Sequence, residues 1–412
     1  MKTTKTSGAT RPAPILPRLA LAVLAGFLAT PSFAAARTDG TAPAAKRAKG
    51  RFPVHFVNRT HGKWGDDQVW IYALGMDAAG RWCHVKADGT MLPMDRADEN
   101  APGHLTKNGR NYAAYAFPLS RAAGFRMPAT ITGGRFYVSV GSPMYIALGD
   151  NGWAGPDIRN PSDPNQDVVF DWVEFTWAYG RIPFGGNTTM VDQFGLPLTM
   201  RLQNAASGYD RTVGITKSRA EVFSGYEAAV GPAFRTLVGT ERITGPGKGT
   251  FAPGQPEQHY FDSAIDQAWS WYATHPFEYH LLLDVFTGGV VDGRLRFYKN
   301  GVGPSYVSKP GSYDVVACTG ALATGSDDEL QLEAQLCAAL NRGVATDTSK
   351  WLSAASYYPA GVRNDYAMYF HQIGLLGRAY AFSYDDVNDQ STVEILTDPM
   401  SPPDALTITV GW

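Results

Sequence analysis

Two carboxylates stand out in a single stretch, Asp167 to Leu198, DVVFDWVEFTWAYGRIPFGGNTTMVDQFGLPL. On an extended strand, side chains alternate, so Phe170, Trp172, Glu174 and Thr176 share one face. In the second limb Thr188, Met190, Asp192 and Phe194 share one face. Folded about Pro183, a symmetric hairpin sets Glu174 opposite Asp192, which lies 18 residues further on. Like charges directly opposed destabilise a sheet, so strand pairing alone would not select this arrangement. Acid–base chemistry would. A carboxyl among Trp, Phe and Thr side chains also has the desolvated setting that suits a proton donor.

Other reaction types lack their residues. There is no GxSxG nucleophile elbow and no GxxxxGK[ST] phosphate loop. The glycines at 245, 247 and 249 lie outside the strand–turn–helix setting of a dinucleotide site. No CxxC or zinc-spaced His pair occurs, so neither a metal nor another cofactor is expected. Lys and Arg number 36 against 38 Asp and Glu, a balance without the basic excess of a nucleic-acid binder. Aromatic residues at 12% and charged residues at 18% exclude a disordered chain.

The elements that must hold the two acids are mainly strands. Short alternating runs, separated by Gly, Pro, Asn and Asp, fill residues 51–216: 54–60, 68–77, 81–89, 135–141, 167–177, 188–203 and 211–216. Such a series predicts a sandwich or barrel. Helices follow, opening at Ser218, Ser263 and Ser326, with a fourth over 365–374. Strand text lies between them at 277–286 and 293–300. It returns at 378–387 and 405–412. The fold class expected is mainly β with an α/β insertion: a β domain of 51–216 and 375–412, and a mixed α/β domain of 217–374.

Residues 1–36 combine Lys2, Lys5, Arg11 and Arg18, the apolar run Leu19–Leu28, and the small residues before Ala36. That is a secretory signal peptide, and the run is shorter than the roughly 20 residues of a membrane span. Residues 37–50 read as a flexible leader. The mature chain is expected to be secreted, free of the membrane and monomeric. Export permits disulfides, and Cys318 and Cys337, close in sequence, are expected to pair, with Cys83 buried and free.

The motifs FVNRT, DDQVWIYALG, NPSDPNQDVVFDWVEFTWAYG, GGNTTMVDQFGLPL and AYAFSYDDV, in this order, resemble glycoside hydrolase family 64. The resemblance runs from about Phe52 to Trp412. It implies a thaumatin-like β-barrel domain, a mixed α/β domain and a wide groove between them. It implies endo-hydrolysis of β-1,3-glucan with inversion, and laminaripentaose as product. The catalytic Glu and Asp of the family motifs fall on Glu174 and Asp192. We assign Glu174 as general acid and Asp192 as general base. Inversion needs the two carboxyls about 6.5–9.5 Å apart, to admit a water. Thr176, Asn187 and Thr189 match groove-lining positions. Trp177, Asp385 and Asp386 are further candidates for contact with sugar. A non-catalytic glucan-binding protein using the same groove is the competing expectation, and cleavage of another β-glucan is a third.

Overall fold

The computed structural model describes residues 49–150, 152–393 and 398–412. The expected signal peptide and nearly all of the expected leader lie outside the described residues. Among the described residues, no helix is long and apolar enough to cross a membrane.

Two sheets face each other across the first core. The five-stranded sheet runs Tyr209–Gly214, Leu198–Asn204, Ala405–Gly411, Phe52–Arg59, Arg126–Met127. The other runs Ile182–Thr188, Val169–Ala178, Thr130–Val140, Val69–Met76, Trp82–Val85, Met91–Pro93, with Phe117–Pro118 also joined to Val69–Met76. Both keep free edges, so the layout is a sandwich and no closed barrel forms. The chain's last strand lies parallel to its first, Val54 beside Leu406. Alternation explains the packing. Val173, Phe175 and Trp177 point into this core with Phe136, Met200 and Ile408.

A second core gathers around the helices Arg219–Ala229, Asp262–Thr274, Asp327–Asn341 and Asp365–Ile373. The first begins where the sequence says. The Ser218 hydroxyl accepts from the Glu221 amide, and the Glu221 carboxylate reaches back to the Ser218 amide. Ser326 and Glu329 repeat the device. Asp262–Thr274 opens one residue before Ser263 and has no side-chain cap. A meander of four strands, Phe277–Leu281, Asp284–Val291, Arg294–Lys299 and Val302–Ser308, covers these helices.

Three strand expectations change. Residues 277–286 form a hairpin turned at Leu282 and Leu283. Residues 188–203 break into Gln193–Phe194 and Leu198–Asn204. Residues 378–387 form turns with one bridge, Tyr380 to Thr189. Ala379, Ala381 and Phe382 pack into the second core, and the chain rejoins the first core at Val393. The Asp385 hydrogen bonds described below outweigh local strand propensity there.

Cys318 and Cys337 form a disulfide, and Cys83 is buried and unpaired. The bridge closes a loop across 19 residues of the second core. We expect Cys337→Ser to lower the unfolding free energy by about 2–4 kcal/mol, read from urea denaturation curves.

Candidate active site

Glu174 sits in the middle of Val169–Ala178, between two neighbouring strands. Its direct partner on one side is Arg135, on the other Asn187. The hairpin turns at residues 179–181, since Ala178 pairs with Ile182. The expected register about Pro183 is therefore wrong. The tight turn at positive-φ Gly180 takes fewer residues than a symmetric loop about Pro183. Asp192 lies four residues past the end of Ile182–Thr188 and is not in the ladder.

What carries Asp192 back to Glu174 is a clamp on its flank. The Asp171 carboxylate accepts from the amides of Gly195 (2.8 Å), Leu196 (3.2 Å) and Trp172 (2.9 Å). The Gln193 side chain donates to the Phe170 carbonyl at 2.7 Å. Gly195 runs so close that a Cβ there would stand 2.2 Å from that same carbonyl oxygen. On the other flank Gly245 donates its amide to the Asp192 carbonyl at 2.8 Å, and Met190 donates its amide to Tyr380. Burial pushes the Asp171 carboxyl up to about 7, against the pull of its three amide donors and Arg242. Asp171→Ala would strand those amides in a dry site. We expect a loss of about 2–4 kcal/mol of stability, with a fall in turnover as the Asp192 segment loosens. Thermal unfolding and a rate assay on one preparation check both.

Each acid faces a cation. Arg135 Nη2 lies 2.9 Å from Glu174 Oε1, and the Trp172 indole donates to the same oxygen at 3.3 Å. Lys248 Nζ lies 3.4 Å from Asp192 Oδ1. Both acids act on Arg135. Burial pulls that guanidinium down, but Tyr137, Glu174 and Asp192 together hold it above its ordinary value. Tyr137 is raised by burial first, and then by the same two carboxylates. Arg135 is itself fixed, donating to the Tyr137 hydroxyl at 3.1 Å and lying over the Trp153 ring. Glu174 keeps 16% of its side chain exposed and Asp192 36%, so both are open to a ligand.

The other expected residues divide. Asn187 shares the Glu174 face, and its Oδ1 is buried with no partner among the described residues. Thr176 is half-buried on that face and accepts from the Gly133 amide at 3.3 Å. Asp386 also has a buried, unpartnered Oδ1, and burial pushes its carboxyl up to about 6. Tyr380 is raised by burial and then by both Asp386 and Glu174, which ties Asp386 to this neighbourhood. Thr189 is 3% exposed, its hydroxyl turned to the Val191 amide.

Two expectations are corrected. Trp177 is fully buried in the first core and donates to the Gly50 carbonyl at 2.9 Å, so it cannot stack on sugar. Its parity with Val173 and Phe175, opposite to Glu174, is the signal that places it inside. Asp385 is also fully buried. It pairs with Arg342 (3.2 Å) and His371 (2.8 Å) and accepts from the Ala381 amide. Arg135, Lys248 and Asp171 escaped the sequence reading, because nothing local marks a strand Arg, a loop Lys or a core-facing Asp as a neighbour of distant acids. Among the described residues, no group of three His, Cys, Asp or Glu could hold a metal ion.

The family model described as "Beta-1,3-glucanase", glycoside hydrolase family 64, matches residues 50–410. A glucan endo-1,3-beta-glucosidase of Cellulosimicrobium cellulans is 28% identical over 367 residues, 84% of this chain and 63% of the relative. The chain thus spans less than two thirds of that relative's length. The crystal structure of a family 64 β-1,3-glucanase domain from Clostridium beijerinckii matches with TM-score 0.83 and 35% identity, covering 90% of this chain and all of that one. A laminaripentaose-producing β-1,3-glucanase from Paenibacillus barengoltzii, complexed with laminarihexaose, matches with TM-score 0.71 and 33% identity, covering 89% and 76%. A family match over this much of the sequence means that the chain belongs to glycoside hydrolase family 64.

Proposed function

We propose that this chain is a secreted endo-β-1,3-glucanase that cleaves laminarin and curdlan with inversion and releases laminaripentaose. The observation that carries the reading is the pair of partly exposed carboxylates, Glu174 and Asp192, both acting on one half-buried Arg135. Glu174 gives its proton to the leaving oxygen, and Asp192 draws a proton from the attacking water. Lys248 Nζ lies beside the Asp192 carboxylate. Arg135 and the Trp172 indole both hold Glu174 Oε1, which fixes the direction of the carboxyl. Half-buried Thr176 and Asn187, on the Glu174 face, offer polar groups to sugar hydroxyls. The sandwich is thaumatin-like in this reading, and the monomer acts without a cofactor.

Incubation of the purified protein with laminarin, followed by NMR during the first minutes, tests it. The expected first product is the α-anomer of a pentasaccharide. The β-anomer would assign a retaining route. Glucan binding without released oligosaccharide would favour the non-catalytic alternative.

A further inference from the structure

Asp192 lies outside the ladder, and two turns flank its segment. On one side Gly245 donates its amide to the Asp192 carbonyl, and the helical turn Pro246–Lys248 that follows sets Lys248 Nζ 3.4 Å from Asp192 Oδ1. A Cβ on Gly245 would stand 2.3 Å from the Val191 carbonyl oxygen, so no slack separates this turn from the segment. On the other side the Met190 amide donates to the Tyr380 carbonyl at 2.6 Å. The Tyr380 hydroxyl closes that turn, donating to the Ser383 carbonyl at 2.8 Å.

Both turns rest on one point, the end of the short helix Ser312–Ala317. Gly247 packs on it: a Cβ there would meet Val316 at 3.5 Å and Ala317 at 3.7 Å. The Ser383 hydroxyl donates to the Ala317 carbonyl at 3.4 Å. The next residue is Cys318. A helix of six residues is too short to hold itself. Cys318, which ends it, stands at φ +46°, a conformation that a residue with a Cβ adopts only when held. The anchor is the helix Asp327–Asn341, buried from Leu332 to Asn341. It reaches the short helix twice. Cys337 is bonded to Cys318, and the Asn341 side chain donates to the Val315 carbonyl at 2.8 Å. A bridge needed only for stability could close any loop of the second core. This one closes where the two supports of Asp192 meet.

We propose that the Cys318–Cys337 bridge is a positioning element for Asp192, holding both turns where the carboxylate meets the attacking water. The role of Asp192 rests on the glucanase reading above; the coupling of the bridge to its segment does not. Without the bridge the second core still closes, while the end of Ser312–Ala317 and the two turns on it gain freedom.

The test is the Cys318→Ala, Cys337→Ala double variant, compared with the parent well below both thermal midpoints, with circular dichroism to confirm the fold. On laminarin kcat is expected to fall about 10- to 100-fold with KM within about threefold, the loss incurred when a base is misplaced by about 1 Å. The same pair of changes is then placed in Glu174→Gln and in Asp192→Asn protein. It should cost a similar factor in the first and less than about twofold in the second, where no base is left to misplace. Amide exchange gives a readout that needs no activity. Met190 and Gly245 should exchange at least about tenfold faster than in the parent, through openings insensitive to low urea, while Val173 gains no such local route. A kcat within about twofold of the parent, an equal loss in Asp192→Asn, or unchanged local exchange would overturn the proposal and leave the bridge a staple of the core. If the parent releases nothing from laminarin, the glucanase reading fails, and the exchange rates decide the coupling. Should the bridge-free chain not fold, Val316→Ala and Ser383→Ala together, which cut the two contacts and keep the bridge, must lower kcat and stay silent in Asp192→Asn for the proposal to stand.

Discussion

Glu174→Gln is expected to cut turnover on laminarin by about 10²–10⁴-fold, the usual share of a positioned proton donor. The change keeps the size of the side chain. Arg135 retains the Tyr137 hydroxyl and the Trp153 ring, so the strand should stay in place. Asp192→Asn should lose a similar factor, since the attacking water then has no acceptor for its proton. The two variants separate the roles. A small anion such as azide replaces the water and needs no base, so it should restore turnover to the variant lacking the base. An aryl glycoside with an acidic leaving group needs no proton donor, so it should stay fast in the variant lacking the acid. With the assignment made here, azide rescues Asp192→Asn and the aryl substrate rescues Glu174→Gln. The opposite pattern would exchange the roles, as the Arg135 contact on Glu174 would allow. Near-normal turnover in either variant would remove that residue from the chemistry.

Asp385→Ala is expected to destabilise the chain by about 3–5 kcal/mol, the largest effect on folding foreseen. Asp385 and Arg342 are 0% and 1% exposed, and their contact is 3.2 Å. Arg342 also donates to the carbonyls of Asp385 and Val387, and His371 Nδ1 faces the Gly377 carbonyl. Removing the carboxylate leaves a dry guanidinium without its counter-charge. The same cut unties residues 377–387, which support the segment before Asp192 through Tyr380. Guanidinium chloride titration measures the loss. A shift of under about 1 kcal/mol would mean that the cluster is solvated in solution. Asp385→Asn keeps the shape and removes the charge, so comparing the two separates electrostatics from packing.

Much of the arrangement is local and could be read from the chain. The capping boxes at Ser218 and Ser326 need only four residues each. Strand text at 54–60, 68–77 and 167–177 needs only alternation, and the Cys318–Cys337 bridge needs only proximity along the sequence. Glu174 and Asp192 stand out because carboxylates amid aromatic and β-branched residues are costly unless they have a task. Alternation even contained the answer for Trp177, which shares its parity with core residues.

Register and long-range pairing are different in kind. A hairpin's alignment depends on where its turn forms, and a turn at residues 179–181 takes Asp192 out of the ladder altogether. Asp192 is returned by Asp171, Gly195 and Gly245, contacts that only the folded chain makes. Arg135 comes from one neighbouring strand and Lys248 from a loop of the other core, and neither has a local mark. Asp385 and Asp386 are adjacent in sequence, yet one is sealed against Arg342 and the other keeps an unpartnered oxygen near Tyr380. By itself the sequence determined which side chains could do acid–base chemistry and which short segments are strands or helices, because those depend on residue type and near neighbours. Tertiary structure alone decided which charges meet and which are buried, because Coulomb and desolvation energies depend on distances that spacing along a chain does not set.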